Sequence, residues 1–511
     1  MKAFKMESSK FDIIILGAGA QATAFLSAIY HITKNIKKIH NLTIGIVDKQ
    51  ENYGCGVIYN EDYPWIIMNT PITDLSVELN NNLDFSDWLQ ENIELYCTVK
   101  TNNYVSRSVF GKYLNYKFNF YKNCLLKNGV LVETINGLAV NIEDNPINKD
   151  VIVTLHDKRS LLTKNLVIAI GKENSEDIYD LKKHSNYIHS PFPAFKKIAH
   201  FPKKSCVGII GSNLTAIDVA VTLKHLNHQG KIIMSSRGGL LPEVKGKHLR
   251  AYPPKYALHK NYLKIFNNKK NDLTLLDILR PIRKELKNYN LNWRNIFFPK
   301  TLSPDNTQKF EQRVYEAINF PTNFNIILGM IPEIAKTWNL VKNSEIDLFI
   351  KKYHRFIHQK HGAIPLVNAK KILDLLKTEQ LNLKGDILDI RYENNKFKIE
   401  YKNNDKTECD YIVNAMGTKK SACNNIFLTS PFKSLCQYNL INEVSGGGII
   451  TDFLTGKIQS KNNKYSPRIR AIAHNAEGSH PFINNFAWIL ESSHHVAEDL
   501  INEVLNAHKK Y

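Results

Sequence analysis

Phe11-Asp-Ile-Ile-Ile-Leu16 is a mostly apolar run of strand length, and Gly17-Ala-Gly19-Ala-Gln-Ala22 follows it without a spacer. A helix-period stretch then runs from Thr23 to about Ile36, and Leu42-Thr-Ile-Gly-Ile-Val47 reads as a second buried strand closed by Asp48. Strand, glycine turn, helix, strand and acid make one βαβ unit. Each position has a physical task. Gly17 permits the tight turn out of the strand. Gly19 lets backbone N–H groups, with Ala20 beside it, approach a pyrophosphate where the helix dipole favours negative charge. Ala22 occupies the third position, where helix packs on strand, and Asp48 stands where a ribose-binding acid belongs. The unit is read as a dinucleotide-binding module.

A second such unit starts at Ser205-Cys-Val-Gly-Ile-Ile210, turns through Gly211-Ser-Asn-Leu-Thr-Ala-Ile-Asp218 into a helix, and continues in Lys231-Ile-Ile-Met234. Gly211 holds the first glycine position, Asn213 the second and Ala216 the third, with Ser212 and Thr215 in the same turn. Asn is expected here because it adopts unusual backbone angles more readily than most residues. No acid closes the following strand. Ser235-Ser236-Arg237 stands there instead, and hydroxyls with a guanidinium suit a 2′-phosphate, which favours NADPH over NADH. Two short strands, Leu166–Gly171 and Tyr411–Gly417, each end in a glycine in the manner of a chain returning to a sheet beside a ligand. Between about 243 and 380 helical periodicity dominates (273–287, 307–317, 346–359, 369–378), and the stretch reads as a helical insertion. Strand alternation resumes at Phe397–Tyr401.

The chain has 511 residues, 43% hydrophobic and 23% charged, which suits two or three globular units and excludes a disordered protein. No run approaches the ~18 apolar residues of a membrane span, and the Ile13–Leu16 run leads into a turn rather than a signal cleavage site. Seven cysteines, with no CxxC or Cys/His cluster, read as buried thiols of a cytoplasmic protein. The formal charge of +20 comes from lysine spread along the chain, so solvated surface is the first reading and nucleic acid the last. Only Lys245, Lys247, Arg250, Lys255, Lys260, Lys264, Lys269 and Lys270 are locally dense. His354, His358 and His361 share a helical face without a further ligand at metal spacing, so no metal site is expected. A GxSxG elbow, HExxH and a Walker A lysine are all absent.

Two dinucleotide modules imply two cofactors that pass a hydride, usually a flavin and a nicotinamide. The sequence also resembles the FAD/NAD(P)-binding proteins related to flavin-containing monooxygenases. The blocks that carry the likeness are Gly54–Tyr59, Ile67–Pro71, Trp88-Leu89, Tyr104–Tyr113, Gly211–Asp218, Ser236–Pro242, Asn292–Arg294 and His354-Arg355 through Pro365. The resemblance implies an α/β fold of two Rossmann-like modules with a helical insertion. FAD-binding segments would lie at 1–200 and 421–511, and NADPH-binding segments at 201–242 and 381–420. The insertion at 243–380 would shape the substrate entrance. It also implies that Asn69 and Thr70 pass by the isoalloxazine, that Arg107 and Tyr104 lie near the FAD or the active-site entrance, and that Asn69 and Arg107 are the catalytic candidates. Gly171 and Gly417 are further cofactor contacts.

The implied activity is an NADPH-dependent monooxygenase. NADPH gives hydride to the flavin, and reduced flavin with O₂ forms a C4a-peroxyflavin that oxygenates a small amine or amino acid, whose carboxylate Lys245, Lys247 and Arg250 could hold. Two departures keep alternatives open. The late strand at Arg470–His474 lacks the Gly-Asp acid of glutathione-reductase-like flavoproteins, so the polar stretch with His480 and Phe482 is expected to meet the flavin through backbone N–H groups. The Phe-x-Gly-x-x-x-His linker survives only as His189-Ser-Pro-Phe192. A flavin reductase without oxygen transfer and a flavin-fold binding protein without turnover are the alternatives.

Overall fold

The computed structural model describes residues 9–36, 42–92, 94, 103–171, 177–247, 251–294, 306–352, 362–417, 431–444, 448–480 and 486–508. The chain divides into two compact units, one of Met1–Glu61, Thr70–Glu173 and Lys420–Tyr511, the other of Asp62–Asn69 and Asn174–Lys419.

The first unit is built on eight strands: β1 (Ser9–Leu16), β2 (Leu42–Asp48), β3 (Val130–Asn136), β4 (Ala139–Asn145), β5 (Asp150–Leu155), β6 (Ser160–Ile168), β15 (Lys457–Gln459) and β16 (Tyr465–Ala471). The order is β15-β16-β6-β1-β2-β3, with β5 also on β6 and β4 on β5. β1 lies parallel to both neighbours, Leu16 opposite Val47 on one side and Ile168 on the other. A strand covered on both faces needs apolar residues in succession, and Ile13, Ile14 and Ile15 are wholly buried. The described helices are α1 (Ala20–Thr33), α2 (Asp84–Glu91), α3 (Arg107–Lys127), α12 (Phe432–Gln437) and α13 (Phe486–His508). The last packs along α1. Arg470 on β16, with no exposed surface, bonds Asp499 at 2.9 Å and Glu503 at 2.5 Å on α13. Lys457 also reaches both carboxylates, at 3.6 Å from Asp499 and 2.5 Å from Glu503, so two cations from the β15–β16 pair share two acids of α13.

The second unit holds a parallel sheet in the order β10-β9-β8-β14-β7. Its strands are β7 (Tyr187–Ile188), β8 (Val207–Ile210), β9 (Ile232–Ser235), β10 (Leu381–Lys384) and β14 (Tyr411–Asn414). An antiparallel sheet of β11 (Ile387–Glu393), β12 (Lys396–Tyr401) and β13 (Lys406–Cys409) accompanies it. The helices are α4 (Ala194–Lys197), α5 (Leu214–His225), α6 (His259–Lys269), α7 (Leu275–Asn288), α8 (Thr307–Asn319), α9 (Thr322–Thr337), α10 (Asn343–Lys352) and α11 (Leu366–Lys377). Six of these lie between 243 and 380, where helical periodicity dominates the sequence.

Two stretches fall in the second unit although the sequence suggested the first. Residues 174–200 belong there because β7 extends its sheet by pairing with β14. Residues 62–69 belong there because the Asp62 carboxylate accepts from the Ala194 and Phe195 N–H groups, and Trp65 Nε1 donates to Thr222 Oγ1 at 3.2 Å. Neither contact has a periodic trace in the sequence. Among the cysteines, Cys55, Cys124, Cys206 and Cys409 are free, whereas Cys436 is disulfide-bonded, contrary to the expectation of thiols throughout. No helix among the described residues is long and apolar enough to cross a membrane.

Candidate dinucleotide-binding sites

Gly17 leaves β1 with φ +98°, and its N–H bonds Val47 O at 2.8 Å. A Cβ there would stand 2.4 Å from Ala169 O, at the end of the returning strand β6, so only glycine fits. Gly19 is the N-cap of α1 in an extended conformation (φ −89°, ψ −162°), with no side-chain cap and no acid in the first turn. The N–H groups at Ala20 to Ala22 therefore form an uncapped positive end. A second loop lies against this turn. Gly54 N–H donates to Ala18 O at 2.6 Å, and a Cβ on Gly19 would sit 3.4 Å from Gly56 Cα. Gly54 and Gly56 both have positive φ. This second glycine loop was missed as a site element. Two glycines spaced by one residue soon after Asp48 are the signal that could have found it.

Asp48 lies at the end of β2 as expected, but its carboxylate already accepts from Ala18 N–H at 2.7 Å and Gln50 N–H at 3.0 Å. It builds the turn, and its remaining lone pairs are what it offers to a ligand. Gly171 ends the returning strand with φ +73°, and a Cβ there would meet nothing within 4 Å. Its carbonyl accepts from Asn475 Nδ2 at 3.2 Å. Arg107 is the first residue of α3, which Ser106 caps through Val109 N–H. Its charge acts on Tyr59, whose hydroxyl burial pushes above its usual range. Thr70 lies in the same unit and is half-buried.

The C-terminal part of this unit has no carboxylate at the end of β16, as the sequence indicates. A tight turn stands there instead, with Ala473 at φ +51°. Thr451 N–H and O both bond Ser479 Oγ, at 2.8 and 2.7 Å. The His480 ring lies 4.5 Å from Phe453 and 5.7 Å from Trp488 between centroids. Burial lowers the imidazole to about 4, with Asp452 opposing, so it is neutral at physiological pH. Among the described residues, four buried polar atoms here lack a partner: Thr451 Oγ1, Asn475 Oδ1, His480 Nδ1 and Trp488 Nε1. Buried polar groups are nearly always satisfied, so four orphans together call for a polar group from outside the described residues. Of them the sequence singled out only His480. Phe482 lies outside the described residues.

The second unit repeats the first turn. Gly211 has φ +119°, its N–H bonds Ser235 O at 2.7 Å, and a Cβ there would stand 2.5 Å from Ala415 O. Asn213 caps α5 at φ −89° and ψ −168°, again with no side-chain cap and no acid in the first turn. Here the expectation is corrected. Asn213 adopts ordinary extended angles, so glycine's conformational freedom is not needed at that position. Ser212 Oγ donates to Leu240 O at 2.6 Å and contacts Ser236 Oγ at 3.0 Å, while Ser236 Oγ accepts from Gly239 N–H. The two serines thus build the loop on which exposed Arg237 sits, and Thr215 is half-buried in the first turn of α5. Gly417, two residues past Ala415, is exposed and a Cβ would meet nothing.

Asn69 also lies in this unit. Its carbonyl accepts from the Lys245 ammonium, and its side-chain Oδ1 is buried without a partner among the described residues. Lys245 is therefore engaged by the chain itself, and Lys247 is exposed. Arg250 and the three histidines at 354, 358 and 361 lie outside the described residues. Among the described residues no group of three or more His, Cys, Asp or Glu could hold a metal ion.

Residues 14–173 match the model of a protein family described as FAD-NAD(P)-binding. No curated protein matches the chain. Among solved structures, a cadaverine monooxygenase of desferrioxamine biosynthesis from Erwinia amylovora, bound to FAD, is 11% identical over 97% of this chain and 95% of its own, with a TM-score of 0.57. An ornithine N-hydroxylase from Kutzneria sp. 744, with reduced FAD, NADP⁺ and L-ornithine, is 10% identical over 97% and 100%, with a TM-score of 0.55. An L-lysine 6-monooxygenase from Pseudomonas syringae is 13% identical over 97% and 100%, also at 0.55. Residues 14–173 thus resemble an FAD-NAD(P)-binding family. The chain as a whole has the α/β fold of two-dinucleotide flavoproteins, as its sequence blocks indicated.

Proposed function

We propose that this protein is an FAD-dependent, NADPH-using monooxygenase that oxygenates the nitrogen of a small amine or amino acid. The observation that carries the reading is the repeated turn. Gly17 and Gly211 have the same conformation under the same returning carbonyl, and each leads into a helix whose first N–H groups are uncapped. Two anion-binding helix ends in one chain suit two dinucleotides. The family description of 14–173 and the diamine and amino-acid substrates named for the similar structures support the choice of cofactor and substrate class.

When bound, FAD supplies oxygen activation and NADPH supplies hydride. The chain's own part is binding and positioning. The N–H groups at Gly19 to Ala22 receive the FAD pyrophosphate, and Asp48 fixes both the turn and a ribose hydroxyl. Arg107, Thr70 and Gly171 line the same cofactor. Asn475 and neutral His480 offer polar atoms to it or to the amine, and Phe453 and Trp488 beside them exclude water, which oxygen transfer requires. In the second unit the turn from Gly211 to Thr215 receives the NADPH pyrophosphate, Arg237 the 2′-phosphate, and Gly417 leaves room beside it. Lys245 holds the strap that carries Asn69, whose amide is the remaining catalytic candidate.

A visible spectrum of the purified protein, then anaerobic NADPH, then air with cadaverine, ornithine or lysine, tests this. A flavin band that bleaches with NADPH, and O₂ uptake matched by hydroxylated amine, are expected. Hydrogen peroxide as the sole product with every amine would make the protein a flavin reductase. Colourless protein that FAD cannot reconstitute would remove the enzymatic reading.

A further inference from the structure

Cys206 and Cys409 face each other in the second unit with their sulfurs 3.7 Å apart, both as free thiols. The backbone fixes this encounter. Cys206 N–H donates to Asp410 Oδ2 at 2.7 Å, and Cys206 O accepts from the Asp410 and Tyr411 N–H groups at 2.8 and 3.2 Å. Gly208, two residues on and therefore on the same face of β8, supplies the space: a Cβ there would stand 3.1 Å from the Cys409 sulfur. Any other residue at 208 would crowd that sulfur. Between the two thiols Cys206 Sγ donates to Cys409 Sγ, and once Cys206 ionises the Cys409 S–H donates to it instead. That bond lowers the Cys206 thiol below its usual range, with Lys396 and Lys231 assisting, while Cys409 is raised. Cys206 is half-buried and Cys409 buried, so an oxidant reaches Cys206 first.

We infer that Cys206 and Cys409 form a disulfide when the protein meets a hydroperoxide, which makes this pair a redox modification site. The Cys206 thiolate attacks one peroxide oxygen, the O–O bond breaks, and the released hydroxide takes up a proton to leave as water, with Cys206 as sulfenic acid. Cys409 sulfur then attacks Cys206 sulfur. The S–S bond forms, the S–O bond breaks, and the hydroxyl leaves as water with the Cys409 proton. Two thiols and one hydrogen peroxide become one disulfide and two waters. The sulfurs need to close from 3.7 Å to roughly 2.0 Å, a side-chain movement across fixed backbone. The bond would join positions 203 residues apart. It would tie β13 to the start of β8 and close a loop that contains all the helices from α5 to α11. The expected consequence is a second unit that unfolds and is proteolysed less readily when oxidised.

The test uses the full-length protein, reduced, exposed to hydrogen peroxide, alkylated and digested without reductant. The expected product is the Cys206 and Cys409 peptides joined, two hydrogens lighter than their sum. Its yield should fall at least tenfold in Cys206→Ser and in Cys409→Ala. Peroxide should also raise the Tm of the wild-type protein more than that of either variant, in which only the Cys436 disulfide can re-form, and dithiothreitol should reverse the rise. Sulfenic or sulfinic acid at Cys206 without the cross-link, or both thiols alkylated after peroxide, would overturn the inference. Added peroxide makes the measurement equally good on flavin-free protein, so failure of the flavin reading leaves this one standing, and the reverse.

Discussion

The two glycine turns solve one problem with different residues. At their first position they are interchangeable. Gly17 and Gly211 take φ +98° and +119°, bond the carbonyl of the next strand at 2.8 and 2.7 Å, and pack under a returning carbonyl at 2.4 and 2.5 Å from a would-be Cβ. At the second position they agree in backbone and differ in side chain, since Gly19 and Asn213 share φ −89°. They part fully after the second strand. In the first unit an acid, Asp48, holds the turn. In the second a pair of hydroxyls holds a loop that carries a guanidinium. The lesson is that the first glycine is dictated by strain. The second tolerates a side chain where nothing packs against it, and the residues beyond differ in which groups hold the loop.

That comparison can be broken most severely at the first glycine. Gly17→Ala and Gly211→Ala should each cost about 1–3 kcal/mol from the left-handed backbone alone, with the carbonyl clash in addition. Gly17→Ala is expected to yield protein without flavin absorbance. Gly211→Ala should keep its flavin and lose anaerobic reduction by NADPH, measured by stopped flow. Equal flavin content in both variants would dissolve the assignment of one cofactor to each unit.

In the first unit the His480 imidazole is wholly enclosed. His480 is lowered to about 4, against 6.5 for a free imidazole. Between those values the unfolded chain binds a proton that the folded chain refuses, so stability rises with pH. The contribution is complete above pH 6.5 and should fall by about 3 kcal/mol as pH drops through 4. Urea unfolding from pH 7 to 4 should show this slope, flattened in His480→Gln. An identical slope in the variant would mean other histidines carry it, and burial lowers His31, His494, His225 and His228 as well.

Arg237→Ala should raise KM for NADPH by roughly 10- to 100-fold, the worth of one charge-assisted phosphate contact, and leave KM for NADH nearly unchanged. A parallel loss with both nucleotides would turn Arg237 into a structural loop residue. The smallest effect is expected at Asn213. Its angles are ordinary and its side chain makes no cap, so Asn213→Gly should shift stability by only a few tenths of a kcal/mol in thermal unfolding. Gly19→Ala should likewise fold but hold FAD more weakly, because its added methyl fills the gap toward Gly56.

Both turns and most of their neighbours were legible because each rests on local chemistry: apolar runs for β1, β2 and β8, a glycine where the chain must reverse, and an acid or a Ser-Ser-Arg after the next strand. The long helix α3 was not read as an element, although its first residues were recognised as a block. Its polar and aromatic residues alternate around the axis, and a buried Lys117 paired with Glu78 and Asp84 hides the apolar face. The assignment of 62–69 to the second unit depends on Asp62 and Trp65 reaching partners more than a hundred residues away. The orphaned atoms at Thr451, His480 and Trp488 share no spacing that a sequence could display.

The sequence by itself determined two glycine turns between strand and helix and a helical stretch from about 243 to 380, because these depend on residues close along the chain. Only the tertiary structure decided that Asp48 is already bonded, that Asn213 needs no special angles, and that Lys245 belongs to Asn69. It alone brought Cys206 against Cys409 over Gly208. Hydrogen bonds and sulfur contacts are short-ranged in space and indifferent to separation along the chain, so they exist only once the sheets have set their register.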